Sequence, residues 1–375
     1  MRPIAPSPAV AERHFALPDP AATASLAAAV ARLARPGDVI ALHGDLGAGP
    51  VGLFAVFESG MLKMHCHVVD ALEMTGGQCA ALYPEKPIYD IPGYPMIEAQ
   101  ALIDRLTEQA APFDPDYRLG CQIVSLSRLD GAAGSFRLGT SAGETVEVRT
   151  VIIAAGAGAF GPHRPPLAGL DAYEATGAVS YLVRRREAYR GKRIVIAGGG
   201  DSAVDWTLSL ADVAERLMVV HRRPKFRAAP ESAARLQRLA DQGRIELVIP
   251  YQLKALHGAD GRLEAVEVAD PKGETRLLDA DVLLPFYGLS MELGPIAEWG
   301  LNLDVHHIRV DPATSETNAP GISAVGDIAA YPGKLKLILS GFAETAMACH
   351  AARKLVFPDT ELHFEYSTSK GVPGR

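Results

Sequence analysis

The pattern of hydrophobic and polar positions changes near residue 45. Before it, the Ala-rich segment 21–35 places its apolar residues on one face of a predicted helix, which Pro36 and Gly37 end. Residues 39–42 then predict a short strand. After it, short apolar runs alternate with helical periodicity and are separated by glycine, which is typical of parallel β-α-β units. The sequence therefore predicts an α/β fold preceded by an atypical N-terminal arm.

The composition limits the classes of function. The 375 residues are 48% apolar and 22% charged, with a net charge of −7, so we expect a two-domain cytoplasmic protein that binds no nucleic acid. No apolar run approaches the ~18 residues of a membrane span, so we expect no membrane association. The cysteines lack the Cys-x-x-Cys spacing and predict no metal site. They are Cys66, Cys79, Cys121 and Cys349.

A first glycine fingerprint opens the α/β region. Gly47, Gly49 and Gly52 match G-x-G-x-x-G and precede an apolar helix, whose N-terminus would face a pyrophosphate. The next apolar strand ends at Asp70, 23 residues after Gly47, where a carboxylate can bind ribose hydroxyls. A glycine turn with a surface aspartate is the alternative.

A second fingerprint lies about 150 residues further on. The strand Arg193–Ala197 precedes Gly-Gly-Gly-Asp-Ser-Ala, and the strand over 217–221 ends in arginines rather than an acid. Arginine forms charge-assisted bonds to a 2′-phosphate, so we expect NADPH rather than NADH; a solvated basic turn is the alternative. The predicted cofactor-binding residues are Gly198, Gly200, Asp201, Ser202, Arg222 and Arg223.

Two dinucleotide sites in one chain indicate a bound flavin that receives hydride from a nicotinamide. The segment 150–156 predicts a strand that ends in small residues, which is typical of the last strand of a dinucleotide domain. The strand before Gly326 and Asp327 would place the carboxylate of Asp327 beside the ribityl chain of a flavin, where it can accept hydroxyl hydrogen bonds.

The order of these motifs resembles that of the flavoprotein reductases related to thioredoxin reductase. More narrowly, residues 47–375 resemble the bacterial ferredoxin (or flavodoxin)–NADP reductases of that superfamily. Four segments carry the narrower resemblance: EMTGGQC at 73–79, YPEKPIYDIPG at 83–93, FYGLS at 286–290 and EYSTSKG at 365–371.

The resemblance implies two Rossmann-like, three-layer domains. A discontinuous FAD domain (38–158 and 288–375) would hold an inserted NADPH domain (159–287), after an arm over 1–37. It implies a homodimer that passes electrons between NADPH and ferredoxin or flavodoxin, with no catalytic acid–base side chain. The implied flavin contacts are Asp70, Gln78, Tyr83, Ile123, Phe160, Asp327 and Thr368.

The disulfide reductases of the superfamily carry a Cys-x-x-Cys where this chain has YLVRRR at 181–186. Dithiol relay is therefore excluded, and electrons must leave the flavin directly. Two alternatives stay open: a flavin reductase of another small acceptor such as a quinone, and an NADPH-binding remnant whose first site is disrupted.

The residues before Gly47 depart from the family pattern, because 43–46 are too polar for a buried central strand. The segment 17–49 instead resembles the start of the small bacterial ATPase of tRNA threonylcarbamoyladenosine formation, with GDLGAG at 44–49 like its phosphate-binding loop. Pro50 and Val51 stand where that loop needs Lys and Ser or Thr, so we expect no ATP hydrolysis. Residues 39–42 are the candidate for the missing strand, which would lengthen the first glycine loop and weaken flavin binding.

Acidic ferredoxins would dock on a basic patch. The densest cationic run is Arg184, Arg185, Arg186, Arg190, Lys192 and Arg193, and the next is Arg222, Arg223, Lys225 and Arg227. A solvated linker is the alternative for the first run.

Overall fold

The computed structural model describes residues 38–42, 49–129, 135–156, 159–360 and 371. The predicted arm helix, Gly47 and Thr368 lie outside these residues. The described strands, in chain order, are β1 (Asp38–Leu42), β2 (His65–Asp70), β3 (Pro87–Ile88), β4 (Ile97–Glu98), β5 (Asp116–Leu119), β6 (Ile123–Arg128), β7 (Phe136–Thr140), β8 (Thr145–Val148), β9 (Thr150–Ile153), β10 (Ala159–Pro162), β11 (Arg193–Ala197), β12 (Arg216–Val220), β13 (Glu246–Val248), β14 (Gln252–Ala259), β15 (Arg262–Ala269), β16 (Thr275–Asp279), β17 (Val282–Pro285), β18 (Leu289–Glu292), β19 (Leu303–Asp304), β20 (His307–Arg309), β21 (Ile322–Ala324) and β22 (Ala329–Ala330). The described α-helices are α1 (Pro50–Met61), α2 (Gly77–Ala81), α3 (Ala99–Ala110), α4 (Leu170–Thr176), α5 (Asp201–Leu210), α6 (Pro230–Asp241) and α7 (Ile338–Val356).

The first sheet is parallel and has the strand order β21-β9-β1-β2-β5. β1 lies at its centre, where Ile40 pairs with Val151 of β9 and with His67 of β2. The prediction that residues 39–42 replace the missing strand is therefore confirmed. The chain supplies its central strand from before the polar segment 43–46, so the first glycine loop is longer than a direct strand-to-glycine connection.

The side chains of β9 alternate between two faces of this sheet. Ile152 packs against the long helix α7, while Val151 and Ile153 pack against the antiparallel sheet β6-β7-β8. All three side chains are fully buried, which explains why this strand is an unbroken apolar run. Helices on one face and a small β-sheet on the other make a three-layer unit.

The second parallel sheet has the order β13-β12-β11-β17 and the same layering. Ile194 and Ile196 face α5, and Val195 faces the antiparallel sheet β14-β15-β16. The predicted fold class, α/β with two Rossmann-like three-layer units, is confirmed.

Two antiparallel strands connect the units. β10 leaves the first unit and β18 returns to it, and Phe160 pairs with Met291 between them. The proposed domain boundary at 158/159 lies directly before β10, and the one at 287/288 lies one residue before β18. No helix among the described residues is both long and apolar enough to cross a bilayer.

Candidate functional site

A cleft of about 220 Å³ opens at the carboxyl edge of the first sheet, where open α/β sheets bind their ligands. We call it the first cleft. It is enclosed by the N-terminus of α1, the α2 segment, the ends of β9 and β21, and the residues before α7. Its lining is Gly49, Pro50, Val51, Gly77, Gln78, Cys79, Tyr83, Ala154, Gly156, Val325, Gly326, Asp327, Lys336, Leu337 and Ile338.

Glycine supplies much of this lining. Gly77, Gly156 and Gly326 have positive φ values of 55°, 57° and 75°, which side-chain-bearing residues rarely adopt. Gly49 is the N-cap of α1 and has no side-chain cap, so the first amide groups of this 12-residue helix are left for a ligand. Backbone donors at a helix N-terminus suit an anionic group such as a pyrophosphate, and the residues present therefore fit a dinucleotide.

The polar side chains of the first cleft are uncharged donors, one carboxylate and one ammonium, that of Lys336. Burial raises the pKa of the Cys79 thiol to about 11, although its hydrogen bond with Tyr83 opposes this. Burial, and then the neighbouring Cys79, hold the pKa of Tyr83 well above its usual range. Tyr83 and Cys79 therefore stay protonated at neutral pH and can donate, while Asp327 can accept from hydroxyl groups.

Other residues predicted for the flavin lie elsewhere. Asp70 is fully buried at the end of β2, where its Oδ1 accepts the N–H of Leu72 at 2.8 Å. Ile123, the first residue of β6, is 5% exposed and packs in the hydrophobic core, and Gly52 is buried within the first turn of α1. For Phe160, the structure describes only the backbone, which lies in β10. None of these four lines the first cleft.

The second glycine loop lies at the carboxyl end of β11. A Cβ on Gly199 would come within 2.1 Å of the His221 ring, so the loop is packed against the end of β12. Gly200 has an extended φ of −94°, and a Cβ there would meet nothing within 4 Å. The open space beside Gly200, at the N-terminus of α5, would allow a pyrophosphate to lie close to the backbone.

Around this loop, one predicted side chain forms a structural hydrogen bond and the other three are exposed to solvent. Asp201 uses Oδ1 to accept the N–H of Ala229 at 2.9 Å, which ties α5 to the start of α6. Ser202, Arg222 and Arg223 are exposed near the loop. Burial, and then the charge of Arg222, lower the pKa of His221, although a hydrogen bond to the Lys225 carbonyl opposes them.

Arg227, which the sequence pattern predicts only as a surface cation, lies beside the second glycine loop. Its N–H donates to the carbonyl oxygen of Gly199 at 2.7 Å, which brings its exposed side chain beside the loop. The signal in the sequence is the return of a basic residue four positions after Arg223.

The two sites meet through the segment 83–93, for which the sequence indicates a family resemblance but no contact between the sites. Lys86, which follows the cleft residue Tyr83, forms an ion pair with Asp205 of α5 at 3.0 Å. Glu85 accepts the backbone N–H of Arg186 through Oε2 at 2.7 Å. The wall of the first cleft therefore contacts the helix that begins at the second glycine loop.

A larger cleft of about 660 Å³ lies at the opposite edge of the second sheet. Lys192, Arg193 and Asp281 line it at the amino ends of β11 and β17, and the last two form an ion pair at 2.6 Å. Nucleotides bind at the carboxyl ends of such strands, so this cleft is not the nucleotide site.

One group among the described residues has the composition of a metal site. His65, His67 and Asp116 offer ligand atoms within 4.8 Å of one another. The Arg118 guanidinium lies 3.1 Å from Nδ1 of His67, so a cation already occupies the space beside this nitrogen. This arrangement opposes the binding of a second cation.

The four cysteines are all buried and none forms a disulfide. Cys79 lines the first cleft, and Cys349 lies on α7 beside Ser59, 3.5 Å away. The site has no thiol pair that could relay electrons.

Comparison with known proteins is consistent with this architecture. Residues 46–354 match the model of the pyridine nucleotide-disulphide oxidoreductase family, so the chain belongs to that family. Within it, the chain is 64% identical to ferredoxin–NADP reductase of Acidiphilium cryptum over 329 residues, 88% of this chain and 96% of that protein. It is 54% identical to ferredoxin–NADP reductase of Rickettsia rickettsii, with the same coverage of both chains.

Solved structures show the same fold. Thioredoxin reductase of Lactococcus lactis superposes with a TM-score of 0.71 at 23% identity, over 86% of this chain and all of that one. Thioredoxin reductase of T. acidophilum superposes with a TM-score of 0.72 at 22% identity, over 85% and 97%.

Proposed function

We propose that this protein is a flavoprotein oxidoreductase that passes electrons between NADPH and ferredoxin or flavodoxin through FAD, without a redox disulfide. The observation that carries the proposal is the pair of glycine-lined loops at the carboxyl edges of two parallel sheets, joined by the Lys86–Asp205 contact. The high identity to ferredoxin–NADP reductases over most of both chains supports it.

FAD supplies the capacity to accept a hydride and release electrons singly. The residues of this chain would bind and orient it. Gly49 and the first turn of α1 would hold the pyrophosphate, and Gln78, Tyr83 and Asp327 would bond its polar edges in the first cleft. Gly47, Gly52, Asp70, Ile123, Phe160 and Thr368 remain proposed contacts from the family pattern.

NADPH would bind the second glycine loop. Gly200 leaves the backbone accessible. Gly198 is buried, and a Cβ there would lie 2.6 Å from the carbonyl oxygen of Phe286, so it would serve the tight turn. Ser202 lies in the first turn of α5, and Asp201 supports the loop by its bond to Ala229. The exposed Arg222 and Arg223 would bond the 2′-phosphate. We propose Arg227 as a third phosphate-binding residue, because its backbone N–H is hydrogen-bonded to the carbonyl oxygen of Gly199.

The docking patch for an acidic partner is narrower than the cationic run in the sequence. Arg190 pairs with Glu187 at 2.7 Å and Arg193 with Asp281, so these charges are already balanced. Arg184 and Arg185 are exposed and have no ion pair among the described residues. We propose these two as the docking cations, with a homodimeric, cytoplasmic enzyme and the domain boundaries given above as further parts of the proposal.

An absorbance spectrum of the purified protein tests the proposal. We expect a flavin band that bleaches on anaerobic addition of NADPH and returns on addition of oxidised ferredoxin. A sample that binds NADPH but stays colourless after FAD is added would contradict the proposal and support the NADPH-binding remnant. Bleaching followed by reoxidation with a quinone but not with ferredoxin or flavodoxin would assign another acceptor.

Charge reversal tests the docking patch. Arg184→Glu/Arg185→Glu should slow reoxidation by ferredoxin and leave the reduction of a small neutral dye unchanged. Arg105→Glu, on the exposed face of α3, is the matched control. Equal rates of reoxidation by ferredoxin in the wild type and the double variant would show that ferredoxin docks elsewhere.

A further inference from the structure

The carboxylate of Glu344 is a buried acceptor that three groups of one loop approach. Glu344 lies on α7 and is 1% exposed. The N–H of Gly326 donates to Oε2 at 2.8 Å, and the hydroxyl of Tyr331 donates to Oε1 at 2.7 Å. The ammonium of Lys334, whose side chain is 8% exposed, donates to the same Oε1.

These three donors belong to the residues 326–337, which we call the cleft loop. The same loop lines the first cleft through Gly326, Asp327, Lys336 and Leu337. Glu344 does not line the cleft. Its carboxylate bonds Gly326 at the start of the cleft loop and Tyr331 and Lys334 in its middle. Asp327 and Lys336, which lie one and two residues from these bonded positions, line the cleft.

The start of the cleft loop has little room to adjust. Gly326 has a φ of 75°, and Val51 of α1 lies 3.6 Å from the position of a Cβ there. A Cβ on Gly341, one turn before Glu344, would meet Val51 at 2.5 Å. The cleft loop is therefore held closely between α1 and α7, where the hydrogen bond to Glu344 determines how the Gly326 peptide is oriented.

Removal of this carboxylate would be costly. A buried charge is stable only when it is paired and hydrogen-bonded, and loss of one partner leaves the other uncompensated. Burial and the hydrogen bond to Glu344 raise the pKa of Tyr331 to about 12, so its hydroxyl stays a donor at neutral pH. Without Glu344, the ammonium of Lys334 would have to leave the interior and move the cleft loop with it.

We infer that Glu344 is a positioning residue for the flavin, which acts by fixing the cleft loop so that Asp327 and Lys336 face the first cleft. This inference rests on the proposed function, because it takes the occupant of the cleft to be FAD.

The test is FAD binding to the apoprotein, followed by fluorescence quenching and by the visible circular dichroism of the bound flavin. Glu344→Gln should weaken FAD affinity by about tenfold or more, the scale on which loss of an outer hydrogen-bond partner weakens binding at metal sites. It should also change the dichroism, because the loop beside the flavin moves. Glu344→Gln/Lys334→Met should recover part of the affinity, since glutamine can still accept from Gly326 and no ammonium is left unpaired.

Two further variants keep the result interpretable. Glu298→Gln, at an exposed position, is the matched control and should bind FAD as the wild type does. Tyr331→Phe removes one donor and should weaken FAD binding in the same direction but less, so it replaces Glu344→Gln if that variant does not fold.

Unchanged FAD affinity and dichroism in folded Glu344→Gln would overturn the inference. If Glu344→Gln does not fold, the same result in Tyr331→Phe would overturn it. A lower unfolding temperature of the apoprotein with unchanged FAD affinity would also overturn it, because that result describes a structural role only. Failure of the wild type to bind FAD would instead reject the proposed function.

Discussion

Nζ of Lys86 lies 3.0 Å from Oδ2 of Asp205, and this ion pair joins the two halves of the candidate site. Lys86 follows the Tyr83 wall of the first cleft, and Asp205 lies on the helix that starts at the second glycine loop. Both side chains are about three quarters buried, with 21% and 26% exposed. Solvent therefore screens this pair less than it screens a surface ion pair.

Loss of this contact should slow hydride transfer to the flavin. Lys86→Met removes the charge but keeps most of the length of the side chain. We expect reduction by NADPH, followed by stopped flow, to slow about fivefold, which corresponds to roughly 1 kcal/mol of lost orientation. Lys254→Met removes an ion pair with Glu267 within one β-hairpin and should leave the rate unchanged. A faster or unchanged rate in Lys86→Met would show that the contact does not orient the two sites.

The local elements of the fold could be predicted from the sequence because each has a local signal. The strand Arg193–Ala197 is apolar and followed by glycines, and both of its faces are covered in the structure. The apolar run 39–42 predicts a strand, and β1 occupies these positions. The resemblance to the reductases added the topology, which short-range patterns do not contain.

The contacts that connect the site could not be predicted, because they join segments far apart in the chain. Lys86 and Asp205 are separated by more than a hundred residues, and nothing near either one indicates its partner. Glu344 is a charged residue on a helix, for which the sequence predicts a solvent-exposed side chain, yet this side chain is buried. Asp70, which the spacing predicts at a ribose, is fully buried, and its Oδ1 accepts the N–H of Leu72 in the following turn; its contact with a ribose stays a prediction.

The two glycines at the centre of the second loop should respond oppositely to alanine. Gly200→Ala adds a methyl where nothing lies within 4 Å and the backbone is ordinary. The free protein should therefore be unchanged or more stable by about 0.5 kcal/mol, while NADPH affinity falls roughly tenfold or more because the methyl occupies the pyrophosphate position.

Gly199→Ala is the contrasting variant. Its methyl would come within 2.1 Å of the His221 ring, so the protein itself should lose about 1–3 kcal/mol of stability. Thermal unfolding and NADPH titration of both variants check the pair. Normal NADPH binding by Gly200→Ala would place the cofactor away from this loop.

The arginines after β12 should decide between the two nicotinamide cofactors. Arg222→Gln/Arg223→Gln should weaken NADPH binding about a hundredfold or more, because each of the two charge-assisted bonds to the 2′-phosphate contributes roughly 1.5–3 kcal/mol. NADH, which lacks that phosphate, should bind as before, and Arg105→Gln serves as the control. The measurement is titration with each cofactor, and an equal loss for NADH would assign the arginines to another role.

The cysteines should take no part in electron transfer. Burial raises the pKa of Cys79 to about 11 and raises that of Cys121 and Cys349, so between about pH 7 and 9 their thiolates are scarce and alkylation is slow. Denatured protein should show four thiols before and after treatment with NADPH. Cys79→Ser should keep its rate of ferredoxin reduction. Additional thiols after NADPH would reveal a dithiol relay and contradict the proposed direct transfer.

Acid should destabilise the protein partly through His307. Its Nε2 accepts from Nζ of Lys336 at 2.9 Å, and Lys336 lines the first cleft. Burial, and then the Lys336 ammonium, lower the pKa of His307, while Asp304 and Asp327 oppose this shift. The unfolded chain therefore takes up this proton first, near the ordinary pKa of about 6.5, and stability falls as the pH drops from there towards the lowered pKa of the folded state.

The expected result is a fall in the unfolding temperature of the apoprotein between about pH 7.5 and 5.5 that is smaller in His307→Gln than in the wild type. Glutamine keeps an acceptor for Lys336 but cannot take up the proton. His221 has a lowered pKa as well, so part of the fall should remain in His307→Gln. The exposed His306→Gln should follow the wild type, and an identical acid response in His307→Gln would show that His307 makes no contribution.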